Sequence, residues 1–465
     1  MTVRLNDWIL RQSGNDIGLE GADSKFTHSE LAREASLLAS KLRDAGATRS
    51  EPIILQIGNE PTDVIGFLGI WAAGAVAVPV HVGAAASTRE MVARRTRARF
   101  SVAASSVTSV AEGVPPNRPL LNDAALIVFT SGSTGVPKGV VIGHEGFIAK
   151  LEMLSGLLPL TRTDVVLCPL QLTFIFGMWV TFLGLASGAR VVLLPKFSMD
   201  TVGGLLRDCT TLAVVPTMLK LIVAGPKLDS SKLRKILTGG ESLGLTLPSK
   251  LKEHFPAAEY FDLFGLTETG SCDFCLTPSD QYIGLGTIGR PVPGVQFKLV
   301  PAEFSRSEKE GELRIKTSSR MLGYLDDPSL TDVSFEGAYF KTGDLARIRD
   351  DGLVELIGRS KEIISRGGNK IAPLEIDNLF AEHPSVAAAL CFGVPHADLG
   401  EALHMMVVLR SPTNVTDRDL RAWASTKIEK YKIPDQIHVV EALPLGRTGK
   451  ADRRAAASSI LSKIS

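Results

Sequence analysis

The sequence predicts an α/β protein: a large N-terminal domain of doubly wound, mostly parallel sheets with a β-rich subdomain, and a small C-terminal α+β domain. Three observations carry this. Short apolar runs alternate with helical periodicities through the first half of the chain, the pattern in which crossover helices cover both faces of a parallel sheet. After Thr287 the apolar runs are separated by turns, with no helical pattern between them. A charged joint, Arg359-Ser360-Lys361-Glu362, then leads into roughly a hundred residues of mixed character. The expected division is 1–360 and 361–465.

The elements follow in order. Thr27-His28-Ser29-Glu30 is a capping box. Leu31, Ala35, Leu38 and Leu42 follow at helical spacing, and Gly46 is the stop. A strand is expected at 53–56, a helix over Pro61–Ala73 and a strand at 76–80. The alternation recurs at 124–129, 145–154, 191–194 and 212–215. Residues 165–189 carry no charge, a length that could span a bilayer. Pro169 and Gly177 interrupt the run and Gln171 is polar, so it reads as a buried strand, loop and helix. Beyond Thr287 come strands at Gln296–Val300, 311–316 and 353–357. The small domain offers a helix at 374–382, strands at 386–392 and 403–409, and a helix at 417–430.

Composition excludes several classes. A net charge of +1 gives no reason to expect nucleic acid or an anionic membrane, and fits an enzyme with small-molecule partners. The eight histidines show no metal-ligand spacing. Five cysteines, an odd number in a long chain, fit a reduced cytoplasmic protein better than a disulfide scaffold. Cys272 and Cys275 form a lone C-x-x-C, read as part of a loop and not as a zinc or redox site. Residues 1–12 carry Arg4, Asp7 and Arg11 and no apolar centre, so no secretory leader is expected there.

The most telling segment is 130–139, Thr-Ser-Gly-Ser-Thr-Gly-Val-Pro-Lys-Gly, directly behind the apolar run 124–129. Four hydroxyls, three glycines and one lysine in ten residues suit a polyphosphate. Glycines let backbone N–H groups come close to phosphate oxygens, hydroxyls donate, and the lysine supplies a point charge. The loop is not a Walker A motif, because Lys138 follows Pro137. It is not a hydrolase elbow either, because Ser133 follows Gly132 directly. A second basic turn, Gly446-Arg447-Thr448-Gly449-Lys450, lies near the other end.

With these motifs the chain resembles the adenylate-forming (AMP-binding) superfamily: acyl- and aryl-CoA synthetases, peptide-synthetase adenylation domains and luciferases. The resemblance covers nearly the whole chain. It rests on the 130–139 loop, Gly239-Gly240-Glu241, Phe264-Gly265-Leu266-Thr267-Glu268-Thr269, Tyr339-Phe340-Lys341-Thr342-Gly343-Asp344, the segment 358–371 and Lys450. Phe264 stands where tyrosine is usual.

The resemblance implies ATP-dependent activation of a carboxylic acid through an acyl-adenylate, with ATP and Mg2+ as cofactors and CoA as co-substrate. In it Thr130, Ser131, Gly132, Ser133, Thr134, Gly135 and Lys138 hold the β- and γ-phosphates. Thr267 meets the α-phosphate and Glu268 the magnesium, a hard cation that prefers oxygen. Asp344 accepts the ribose hydroxyls, Arg359 reaches the ribose–phosphate region, and Gly240, Glu241, Phe264 and Gly265 frame the adenine. Lys450 is the catalytic lysine, bridging the attacking carboxylate and the α-phosphate. Lys361 is the hinge about which a mobile small domain turns, after which Gly367 and Gly368 leave room for a slim pantetheine arm. The acyl pocket is expected from Phe174, Phe176, Gly177, Trp179, Val214, Pro216, Thr217, Thr238 and Gly270. That set has no charged member, so it favours a neutral, apolar, cyclic or aromatic acid over a dicarboxylate or an α-amino acid. Two other acceptors stay open beside CoA: an amino acid or other amine, giving an amide, and a carrier-protein phosphopantetheine. A non-enzymatic binding module is disfavoured because Lys450 is present.

Overall fold

The computed structural model describes residues 3–130, 137–302, 305, 307–410, 415–445 and 451–464, which build four sheets. The largest has nine strands. Six run parallel as neighbours, in the order Ile17–Glu20, Arg190–Leu193, Val165–Cys168, Thr211–Val214, Lys235–Gly239 and Glu259–Phe264. Antiparallel strands close both edges: Lys25–Thr27 on one, Phe274–Leu276 and Arg290–Pro291 on the other. The second sheet sets Phe100–Ala103, Pro52–Ile57, Val76–His81 and Ala124–Thr130 in parallel. Helices His28–Asp44, Pro61–Ala73, His144–Leu157 and Ile175–Ala186 join these sheets through one continuous core.

The local reasons are those of the sequence. Thr27 and Glu30 cap each other's backbone at the start of His28–Asp44. Gly74, at φ 85°, ends Pro61–Ala73 in the left-handed conformation that favours glycine. The charge-free stretch divides into Val165–Cys168, a connecting loop and Ile175–Ala186, a helix apolar on nearly every side and therefore central to the core. No described helix is long and apolar enough to cross a membrane.

One element went unassigned in the sequence and another is shorter than expected. The apolar residues after the glycine-rich loop form Lys138–Gly143, which pairs antiparallel with Ala124–Thr130, so the loop joins a hairpin and the crossover helix comes only after it. The helix expected at 417–430 is Asp417–Ser425. The Ser425 and Thr426 hydroxyls turn back onto the carbonyls of Ala422 and Trp423, a local bond that competes with helix continuation. The chain beyond turns inward and buries Lys432 between Glu375 and Glu429.

The β-rich sheet sets Gln296–Val300, Glu310–Lys316, Tyr339–Ile348 and Val354–Arg359 edge to edge. Arg359 is the last residue of that sheet. After the short turn Ser360–Glu362 the chain enters the fourth sheet at Ile364–Arg366. There Gly400–Leu409 pairs with Val386–His396 on one side and Gln436–Val439 on the other, and separate small cores form beneath.

Candidate active site

Thr130 and Lys138, the described ends of the glycine-rich loop, are register partners across the hairpin. Ser131, Gly132, Ser133, Thr134 and Gly135 lie outside the described residues, as does Lys450. At the loop's exit Arg95 donates to the Pro137 carbonyl at 2.6 Å. The Lys138 ammonium lies 5.1 Å from the centre of the Tyr324 ring. Tyr324 in turn donates its hydroxyl to Glu268 Oε1 at 3.0 Å. It is held there because Gly323–Tyr324 pairs with Val140 and Val141 of the hairpin. Burial, then the Glu268 carboxylate, push the phenol above its ordinary value, so it remains a donor. One tyrosine thus ties the root of the loop to the Thr267–Thr269 turn.

That turn leaves the nine-stranded sheet at Phe264. The Met321 N–H donates to the Glu268 carbonyl at 2.7 Å. Gly265 is required by a close approach: a Cβ there would lie 2.2 Å from the Cys272 nitrogen. Two residues before Phe264 on the same strand, Asp262 is partly buried, and desolvation pushes its carboxyl up to about 7. Gly240 takes a left-handed φ of 82° after the neighbouring strand. Glu241 then accepts from both the hydroxyl and the N–H of Thr217, at 2.6 and 3.1 Å. Its carboxylate therefore holds the first turn of the helix Pro216–Ala224, a placement in keeping with the helix dipole.

Asp344 and Arg359 face each other at the ends of two antiparallel strands, 2.9 Å apart. The carboxylate is almost fully buried and the guanidinium largely exposed, so the pair presents a cation toward solvent from an anchored base.

The expected acyl pocket divides. Phe174 is 54% exposed at the cap of Ile175–Ala186. Phe176 is partly buried and stacks on Trp179 at 5.3 Å. Pro216 and Gly270 are buried and Thr217 is exposed. Trp179, Val214 and Thr238 have no accessible surface. Trp179 packs in the main core and Val214 in the core between sheet and outer helices, while Thr238 is enclosed in its strand. Gly177 is also structural, since a Cβ would come within 2.6 Å of the Gln171 carbonyl.

Lys361 is exposed in the turn between the third and fourth sheets. Gly367 and Gly368, at φ 52° and 82°, form the exposed tip of the hairpin beyond it. Beside Lys361, Glu362 pairs with Arg453 at 3.0 Å. Arg453 also pairs with Asp377 at 2.6 Å and donates to the Cys391 carbonyl at 2.6 Å.

Sequence reasoning missed Tyr324, Arg453 and a buried pair, Lys150 and Asp273, whose charged atoms lie 3.0 Å apart with no exposure. Lys150 did leave a signal: it interrupts the apolar stripe Phe147, Leu151, Leu154. Cys272 and Cys275 are buried free thiols, pushed above their ordinary value by desolvation, and among the described residues no three or more His, Cys, Asp or Glu side chains cluster as a metal site.

Residues 7–325 match the family model for AMP-binding enzymes, and residues 375–450 match its C-terminal domain. The chain belongs to the AMP-binding enzyme family. It is 29% identical to an oxalate–CoA ligase of Arabidopsis thaliana, over 94% of this chain and 93% of that one. It is 30% identical to a malonate–CoA ligase of the same plant, over 84% of this chain and 75% of that one. In fold it is similar to the o-succinylbenzoate coenzyme A synthetase MenE of Bacillus subtilis, solved with ATP and a magnesium ion. The TM-score is 0.84 at 24% identity, covering 97% of this chain and 98% of that one.

Proposed function

We propose that this AMP-binding enzyme is an acid–thiol ligase. It joins a carboxylate to the α-phosphate of ATP, releases pyrophosphate, and passes the acyl group of the adenylate to CoA. The observation that carries the reading is the Lys138–Tyr324–Glu268 link. It brings the phosphate-loop lysine and the acidic residue of the Thr267–Thr269 turn to one aromatic ring. A polyphosphate and its divalent cation need that pairing, a cation for the phosphate oxygens and a hard oxygen donor for the metal.

The residues fit magnesium in their chemistry. Glu268 is partly exposed, and Tyr324 occupies one of its oxygens. Magnesium, when bound, neutralises phosphate charge. The chain's own residues do the rest. The loop from Thr130 to Lys138 grips the distal phosphates, and Thr267 donates to the α-phosphate. Asp344, partnered by Arg359, receives the ribose. Lys450 meets the anion that builds up as the carboxylate attacks. The two domains are 1–360 and 361–465, with Lys361 as the turning point between them.

For the acid we favour a neutral apolar one. Phe174 and Phe176 offer apolar surface. Lys150, the cation beside Gly270, is committed to Asp273 and leaves no charge for a second carboxylate. Pyrophosphate exchange across a panel of acids tests this, with CoA, amines or neither supplied for the second step. AMP, pyrophosphate and a thioester of an apolar or aromatic acid are expected. ADP as the main product would remove the reading. A best substrate such as oxalate or malonate would mean that the pocket is drawn wrongly, and amide formation would replace CoA by an amine.

A further inference from the structure

The turn that carries Thr267 and Glu268 continues into three consecutive residues in the left-handed region: Gly270 at φ 78°, Ser271 at 66° and Cys272 at 47°. Two of the three are not glycine, and such backbone persists only where its surroundings over-determine it. What surrounds it is the buried ion pair. Lys150, wholly buried on the helix His144–Leu157, donates to the Cys272 carbonyl at 3.1 Å and to Asp273 Oδ1 at 3.0 Å. The other oxygen of Asp273 accepts the Thr269 hydroxyl. The Thr269 carbonyl accepts from Ser319 at 2.9 Å. On the inner side, the missing side chain of Gly265 lets the backbone of Ser271 and Cys272 close against it. The Cys272 carbonyl and Asp273, which accept from Lys150, both lie on the turn, and the helix already docks through Phe147, Leu151 and Leu154.

We propose that Lys150 and Asp273 are positioning residues for nucleotide binding. Through the Cys272 carbonyl and the Thr269 hydroxyl they clamp the far side of the strained turn, and so fix where Thr267 and Glu268 stand. The proposal rests on the activity proposed above. It differs from a stabilising role, because a buried ion pair is often no better for stability than apolar residues of the same volume. Neither side chain has any exposed surface to offer a substrate.

The test is the full-length double variant Lys150→Met/Asp273→Asn, which removes both charges together and keeps an acceptor for Thr269. Thr269→Val, which leaves the charges in place, is the second variant in case the first does not fold. Three quantities are read: melting temperature without nucleotide, the rise in melting temperature on adding magnesium and ATP, and the KM values in pyrophosphate exchange. The double variant is expected to melt within a few degrees of the parent yet show little magnesium–ATP shift. Its KM for magnesium–ATP should be raised roughly ten-fold or more, as small displacements of positioning groups produce, with the KM for the acid nearly unchanged. Thr269→Val should show the same split, more weakly. An unchanged shift and KM in whichever variant folds would overturn the clamp, as would a lower melting temperature with normal kinetics. A parent protein with neither shift nor exchange would overturn the proposed activity and the clamp with it.

Discussion

Tyr324 is the residue on which two motifs far apart in sequence converge. Its ring faces Lys138 and its hydroxyl reaches Glu268. Tyr324→Phe keeps the ring and removes one hydrogen bond to a charged acceptor, worth about 1.5–3 kcal/mol. The expected outcome is a fall of roughly ten- to a hundred-fold in kcat/KM for magnesium–ATP, with a higher magnesium requirement in pyrophosphate exchange. A magnesium titration matching the parent would show the hydroxyl to be idle. Phe174 gives a second prediction. At 54% exposed it supports no core, so Phe174→Ala should leave the melting temperature within about 1–2 °C of the parent, the change expected of a surface substitution. The acid preferred in the substrate panel should shift toward bulkier ones. A loss of stability without a change of preference would contradict that. At this scale the sequence was only half legible. Phe174, Phe176 and Trp179 are three large apolar side chains on one short segment, and nothing in their identities says which faces in. The helix phase decided it, placing Trp179 in the core and leaving Phe174 outside.

Strands and helices were legible where burial imposes a period. The capping box at Thr27 and the helix Pro61–Ala73 fall where the sequence placed them. The hairpin at 138–143 was not assigned from sequence, because a fully buried apolar run is the same whether its strand is parallel or antiparallel to its neighbour. Lys150 broke an apolar stripe visibly, but its pairing was illegible for another reason: its partner is 123 residues away. The helix His144–Leu157 also carries a pH response. The His144 Nδ1 accepts from the Leu5 N–H at 3.3 Å, and burial lowers the imidazole from 6.5 to about 4. The folded state therefore holds His144 neutral, while the unfolded chain takes up a proton below pH 6.5. Its contribution is full above that value and is lost progressively as pH falls toward 4, on the order of 3 kcal/mol at the limit. Acid should loosen the contact between the N-terminal helix Leu5–Ile9 and this helix. The protection of the Leu5 amide, its exchange rate divided into the intrinsic rate at the same pH, should fall between pH 6.5 and 4.5 in the parent, and the fall should be weaker in His144→Gln. Protection that stays constant over that window in the parent would show that His144 does not govern the contact.

On the scale of the whole molecule, the order of motifs along the chain made the family readable before any geometry. The arrangement of four sheets follows from their alternation with helices and turns. What stayed hidden was the internal bracing, which joins residues with no shared motif. The two-domain division carries its own prediction. Lys450→Ala should reduce adenylate formation by about 10²–10³-fold, as expected for losing one charge at a developing anion. Thioester formation from supplied acyl-adenylate should be nearly unaffected. Equal losses in both half-reactions would argue against a small domain that serves each step in a different pose.

Arg453 bears on how such a turn would be transmitted. Its three attachments bind the opening of the last helix to Asp377, to the Cys391 carbonyl and to Glu362, the neighbour of Lys361. In mechanical terms the pivot and the far end of the arm are bolted at the same place, although about ninety residues of chain separate them. If Lys361 is the pivot proposed above, a swing there would reach the far end without backlash, and its stroke would be set by one backbone rotation instead of by the compliance of a long loop.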